Sequence, residues 1–224
     1  NAIVIALACK NLPVEMRSKG ILYGTMGAIV IRILLISFAV SLLTLPYLKL
    51  IGGLLLLWIG AKLLSDEGDD AGDIDGGDRL STAIKTIIIA DLAMSIDNVI
   101  AVASAAEQAH ADHKILLVTL GIMVSIPIVI WGSSIVLKMM DRIPGLVTGG
   151  AALLGYLGGS MISTDLAIAD TVANLLPTSA LHFPELGLRL SLTGVMGAAL
   201  VVIAGWWLAQ KPNKEEAPAA SNDA

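Results

Sequence analysis

Charge is scarce in this chain of 224 residues: Asp, Glu, Lys and Arg together make up 15%, against 56% apolar side chains. A soluble domain needs polar groups over its surface, and a mean hydropathy of +0.82 leaves too few of them. A soluble globular fold is therefore excluded. The single cysteine, Cys9, leaves no intramolecular disulfide to form and is silent about redox compartment. The ~10-residue alternation of polar and apolar positions that marks a membrane β-barrel is missing. So are a phosphate-binding loop and any nucleophile–base constellation, which argues against an enzyme and against a hydrolytic pump. No permanently bound cofactor and no nucleic-acid partner are implied, and the net charge of −5 comes largely from one loop.

What the chain does have is a succession of apolar runs near or above the ~18 residues needed to cross a bilayer. Backbone groups in lipid must bond to one another, so these runs are expected to be helices. Spans are expected at Ile21–Leu45, Pro46–Leu64, Ile84–Ala106, Ile115–Leu137, Gly145–Ile162 and Leu190–Ala209. Asn1–Ala8 is too short to span and reads as the second half of a helix that begins upstream. Pro46 and Pro144 sit where helices start, whereas Pro127 falls inside one and is expected to kink it. Lys and Arg favour the cytoplasmic side. Counted over alternate loops, ten lie on one side and three (Lys49, Lys114, Arg189) on the other, with Arg32 inside a span. That bias puts the N-terminus outside and the C-terminus in the cytoplasm, with the lipid bilayer as the surroundings.

An internal repeat organises the chain. Asn1, Ile3, Ala6 and Ala8 fall on Asn98, Ile100, Ala103 and Ala105 at an offset of 97. Gly52, Gly53, Leu56 and Leu57 fall on Gly149, Gly150, Leu153 and Leu154 at the same offset, and Ile21, Thr25 and Gly27 match Ile115, Thr119 and Gly121 after a small gap. Three spans per copy is an odd number, so the copies must be inverted across the membrane, as in many secondary transporters. The expected fold is an all-α polytopic membrane protein of seven transmembrane helices, an inverted three-plus-three repeat plus one extra helix. Its units are a first repeat over 1–64, an acidic cytoplasmic linker over 65–80, a second repeat over 81–162, an outer connection over 163–189, a seventh helix over 190–210 and a disordered tail over 211–224.

Candidate functional residues are the charges that sit inside these runs. An Asp at the centre of a spanning helix costs roughly 2.5–3.5 kcal/mol, and Asp91 and Asp97 occur in one span with Asn98. A bound cation, a proton or an Arg from another helix would compensate them. On a continuous helix Asp91, Ser95 and Asn98 share one stripe, whereas Asp97 points about 100° away from Asn98. Either the helix unwinds near Met94–Asp97, or Asp97 serves another partner such as Arg32 or the first repeat. The bland reading is a set of buried packing groups that satisfy one another. Arg32 is a candidate counter-charge or gate; a displaced helix boundary or a side chain snorkelling to the interface is the alternative. Asp and Asn oxygens suit hard or borderline divalent ions, and a Met94 thioether would weigh against Mg²⁺ and Ca²⁺. Thr25 and Thr119 could add hydroxyls, or bond back to their own helices.

Gly24, Gly27, Gly52, Gly53, Gly149, Gly150, Gly155, Gly158 and Gly159 read as close helix-packing positions. The acids between Asp66 and Asp78 lack the closing Glu of an EF-hand loop and read as a solvated linker. His110, Asp112 and His113 form a weak metal candidate in an outer loop, and Asp165, Asp170 and Asn174 read as exposed capping and turn residues or as an ion vestibule.

Ser95-Ile96-Asp97-Asn98-Val99-Ile100-Ala101-Val102-Ala103, the echo Asn1-Ala2-Ile3-Val4-Ile5-Ala6-Leu7-Ala8, and Thr25-Met26-Gly27-Ala28 resemble the TerC family of integral membrane proteins, in particular its short bacterial YjbE-type branch. The resemblance runs through all seven expected helices. It implies kinship with LysE-type exporters and a link to manganese export and, by name, to tellurium resistance. By that resemblance Asp91, Asp97 and Asn98 would bind the cation in the second half and Asn1 would match them in the first. The acid that the family pattern expects immediately before Asn1 is absent from this chain. The implied function is export of a divalent metal cation, Mn²⁺ foremost, by alternating access, with the metal as substrate and the chain as a candidate homo-oligomer. Two other readings stay open. One is a LysE-like exporter of amino acids or small organic ions; the other is a non-transporting membrane partner in metal delivery or in tellurite or envelope stress.

Overall fold

With no water to bond to, the apolar runs coil into helices, and among the described residues there are eight. They are α1 (Ala2–Cys9), α2 (Val14–Ser37), α3 (Leu48–Ser65), α4 (Gly76–Gln108), α5 (Ala111–Met140), α6 (Gly145–Ser163), α7 (Ala169–Leu175) and α8 (Leu192–Ala209). The computed structural model describes residues 1–37, 45–65, 76–108, 111–143, 145–176, 180–183 and 188–210, with side chains described except at 76, 97–123, 180–183 and 188–189. Val14–Leu35, Leu48–Ser65, Gly145–Ser163 and Leu192–Ala209 are long and apolar enough to cross a membrane, and the part of α5 whose side chains are described, Val124–Met140, is apolar as well. The protein is thus an almost wholly helical, multi-pass integral membrane protein.

Lipid, not water, explains the surface. Leu22, Met26, Val30 and Ile33 line one face of α2, Val124, Ile128, Trp131 and Ile135 one face of α5, and Met196, Leu200 and Ile203 one face of α8, all exposed at helical spacing. The buried faces are small or branched. Ile5, Cys9, Leu12, Ile21, Ala83, Ile87, Leu137 and Val147 belong to one core, and Val4, Leu56, Ile59, Ala90, Ala93, Ile96 and Leu154 to another.

In lipid the apolar effect no longer pulls helices together, so close backbone packing takes its place, and glycines mark where it happens. A methyl group added at Gly53 would stand 2.6 Å from the Gly158 carbonyl oxygen, and one at Gly158 would stand 2.7 Å from that of Gly53. Further along the same pair, Gly60 meets Ala151 and Leu154, so α3 and α6 run antiparallel. Gly155 meets Gly197 and Gly159 meets Thr193, which makes α6 and α8 antiparallel too. Gly60 on Val201 and Gly205 on Leu64 make α3 and α8 parallel. On the other side of the molecule Gly20 meets Leu80, Gly24 meets Ile87 and Gly27 meets Ile88, so α2 and α4 are parallel. Gly149 is the exception among the expected packing glycines, since nothing lies within 4 Å of a methyl group there.

Several boundaries depart from the sequence reading. Pro13 presets the backbone for a helix start, and its carbonyl accepts from the Arg17 N–H at 3.1 Å, so α2 begins at Val14, seven residues before the expected span start at Ile21. The helix α4 begins at Gly76, inside the expected 65–80 linker, with Asp78 in its first turn where a negative charge complements the helix dipole. It also runs unbroken through Met94–Asp97, so the unwound alternative is not the one adopted. Neighbouring helices let α5 continue through Pro127. The all-α expectation fails in one place: Ala180–Phe183 and Leu188–Ser191 pair as an antiparallel ribbon, with Ala180 opposite Ser191, and α8 follows at Leu192. Residues 66–75, which hold most of the linker acids, and the 211–224 tail lie outside the described residues.

Candidate functional site

Two parallel helices build the site. Along α2, Arg32 is carried to the level of Asp91 and Ser95 on α4, and three polar side chains close a triangle there. Arg32 Nη2 donates to Asp91 Oδ1 at 2.6 Å, Arg32 Nε donates to Ser95 Oγ at 3.2 Å, and Ser95 Oγ donates to Asp91 Oδ2 at 3.1 Å. Asp91 and Ser95 are four residues apart on α4 and so share a face. Ser95 is fully buried, and the Arg32 and Asp91 side chains are 23% and 9% exposed. A planar guanidinium can serve two oxygens at once, which an ammonium group of the same charge does less well. The arrangement neutralises a buried carboxylate with a cation on a tether, and it leaves carboxylate and hydroxyl oxygens facing one place.

The first stretch of the chain reaches the same place. Asn1 occupies the N-cap position of α1 without a side-chain capping bond, and its backbone nitrogen lies within Coulombic reach of both Asp91 and Arg32. Thr25 stands seven residues before Arg32 on α2, hence on the same stripe two turns away, and is 3% exposed. Its hydroxyl makes no bond back to its own helix. Among the described residues it is the buried side-chain oxygen left without a hydrogen-bond partner. Met94 turns elsewhere and packs against the core that holds Leu56 and Ile59. Asp97 and Asn98 follow Ser95 on α4 by two and three residues, within one turn of this cluster, and Thr119 lies in α5; their side chains are outside the described residues. His110 and the side chains of Asp112 and His113 are outside them as well. Among the described residues, no three His, Cys, Asp or Glu side chains come together as a metal-binding group.

One polar residue has a different part from the exposed capping role expected of it. Asp165 is 1% exposed and caps a helix across the molecule. The N-cap position of α3 is Tyr47, whose side chain is no capping group and whose backbone sits at φ 66°. Asp165 supplies the missing acceptor. Its Oδ1 accepts from Tyr47 N at 3.1 Å and Ala167 N at 2.8 Å, and its Oδ2 from Lys49 N at 3.0 Å and Leu50 N at 3.1 Å. These four donors close it off from solvent. Desolvation pushes its carboxyl up, but the donors outweigh this and hold it below the usual carboxylate range. The bond to Ala167 is the local Asx turn that Thr164-Asp165-Leu166-Ala167 could have signalled. The three bonds to α3 span more than a hundred residues and have no local signal. Asp170 and Asn174 are exposed on α7.

At the opposite ends of the helices, Arg17 donates to the Lys10 and Leu12 carbonyls and to Asp141 Oδ2 at 2.7 Å, tying the α1–α2 turn to the end of α5.

Comparison with known proteins gives a consistent picture. The model of the integral membrane protein TerC family matches residues 1–214. The chain is 42% identical over 189 residues to the uncharacterized membrane protein YjbE of Bacillus subtilis (strain 168), covering 82% of this chain and 84% of that one. It is 27% identical over 171 residues to YceF of the same organism (72% and 64% covered) and 25% identical over 242 residues to YkoY (100% and 71% covered), both also uncharacterized membrane proteins. No solved structure matches significantly.

Proposed function

The chain belongs to the TerC family of integral membrane proteins, and from that premise we propose that it exports a divalent metal cation, Mn²⁺ foremost, across the bacterial inner membrane by alternating access. The observation that carries the proposal is the Arg32–Asp91 pair, a carboxylate held inside the membrane with a tethered cation at 2.6 Å. Ionisable groups at this depth are expensive and mark ion pathways. Arg32 fills the site when the substrate is absent, and the arriving cation takes its place against Asp91 and Ser95. Asp97, Asn98 and Asn1 complete the proposed ligand set, with Thr119 as an accessory.

The helix directions support a seven-span chain with an inverted repeat. Such a chain requires α2 and α4 to run parallel, α3 and α6 antiparallel, and α8 antiparallel to α6, and they do so. On this reading the N-terminal ends of α2 and α4 lie on the cytoplasmic side, where the basic residues accumulate. An organic-anion exporter would want the guanidinium free for a substrate carboxylate, and here it is engaged by Asp91 and Ser95. The test is Mn²⁺ efflux from cells carrying the unaltered chain, Asp91→Asn or Asp97→Asn. Loss of efflux in these variants is expected; undiminished efflux would mean that the carboxylates are not the transport site.

A further inference from the structure

A buried hydroxyl in a helix normally bonds to the carbonyl four residues earlier, as on α5, or to a polar side chain, as Ser95 does to Asp91. Ser133 Oγ donates to Val129 O at 2.6 Å and Ser134 Oγ to Ile130 O at 3.0 Å. Ser133 is as deeply buried as any of the described residues and is still satisfied. Thr25 is the departure: 3% exposed, in the middle of α2, with Oγ1 unpartnered. Threonine in a helix has two rotamers available, of which one makes the back-bond, so the structure holds this hydroxyl off its own carbonyls. A buried polar atom left without a partner calls for an explanation, and a ligand is one of the few.

Its position supplies that explanation. The neighbouring Gly24 meets Ile87, one turn before Asp91 on α4, so Thr25 stands about one turn to the N-terminal side of the carboxylate. Helical side chains lean toward the N-terminus of their helix, and α2 and α4 run parallel, so Asp91 and Arg32 both lean toward the level of Thr25. We propose that Thr25 Oγ1 is the entry-side oxygen for the transported cation, met before Asp91 and before Arg32 is displaced. The inference rests on the cation-export reading and adds a ligand on the side where the N-terminal ends of α2 and α4 lie. An oxygen donor there suits a hard or borderline divalent ion that is shedding its hydration shell.

The test compares the full-length chain with Thr25→Val and Thr25→Ser in two assays: thermal unfolding in detergent with EDTA, and concentration-dependent Mn²⁺ flux in proteoliposomes. Removing an unpartnered hydroxyl should raise the unfolding temperature of Thr25→Val. The same variant should show an apparent KM for Mn²⁺ raised about tenfold, the equivalent of one lost ligand interaction. Thr25→Ser keeps the hydroxyl and should retain the unaltered KM. A merely structural hydroxyl would change stability and leave KM alone. Unaltered KM in Thr25→Val, or a Thr25→Val chain that fails to fold, overturns the inference while Mn²⁺ transport by the unaltered chain stands. Absence of any Mn²⁺ flux in the unaltered chain would instead sink the reading it rests on, and the inference with it.

Discussion

Replacing Arg32 by Met removes the charge and keeps much of the apolar stem, and its consequences can be worked from the geometry. The guanidinium and carboxylate touch at 2.6 Å with side chains 23% and 9% exposed. Two charges about 4 Å apart attract by about 4 kcal/mol at an effective dielectric constant of about 20. Desolvation of both groups offsets part of this, so the pair need not stabilise the fold over two apolar residues. Breaking it one-sidedly is different, because Asp91 is left with only the Ser95 bond at 3.1 Å. Arg32→Met should therefore cost about 3–5 kcal/mol in EDTA, and the double variant Arg32→Met/Asp91→Leu much less. Mn²⁺ should then rescue the single variant. At a hundred times its dissociation constant a ligand stabilises the folded state by about 2.7 kcal/mol. The unaltered chain should gain less at the same concentration, because there the ion must first displace Arg32. The assay is unfolding in detergent micelles, with EDTA or with graded Mn²⁺. If Arg32→Met is as stable as the unaltered chain in EDTA, or if Mn²⁺ stabilises both equally, the idea of a tethered cation holding the site is wrong.

Asp165→Asn keeps one acceptor oxygen and turns an amide toward two backbone donors, so it should cost about 2–4 kcal/mol and loosen the start of α3. Because the folded-state carboxyl is held below its usual value, Asp165 contributes fully above the unfolded value of about 3.9 and loses its contribution as pH falls through the lower folded value. The stability gap between the two chains, followed by unfolding midpoint against pH, should thus be flat around neutrality and shrink only in acid. Gly155→Ala would push a methyl group to 2.5 Å from the Gly197 carbonyl oxygen and should destabilise by about 1–3 kcal/mol, whereas Gly149→Ala meets nothing and should be neutral or slightly stabilising in the same measurement.

How far the sequence could be read depends on how locally each feature is encoded. The membrane helices follow from long apolar runs, and intramembrane charge singled out Arg32, Asp91 and Asp97 before any contact was known. Helix ends are less legible, because Pro13 and Asp78 favour starts for α2 and α4 inside polar sequence at Val14 and Gly76, where hydropathy sees only a loop. The ribbon of Ala180–Phe183 and Leu188–Ser191 was missed because two four-residue strands carry too few positions for an alternating pattern. The part played by Asp165 could not be foreseen at all, since its partners Tyr47, Lys49 and Leu50 lie in another third of the chain. Thr25 illustrates the same limit from the other side. Its type and spacing were visible, but the missing hydrogen bond that makes it notable exists only in the fold.

The most direct test is Mn²⁺ flux into proteoliposomes that contain only this chain, unaltered or with Asp91→Asn. The account requires Mn²⁺ to cross with the unaltered chain and to slow at least about tenfold with Asp91→Asn, since one carboxylate charge against the ion is lost. Equal flux through the two chains would contradict it.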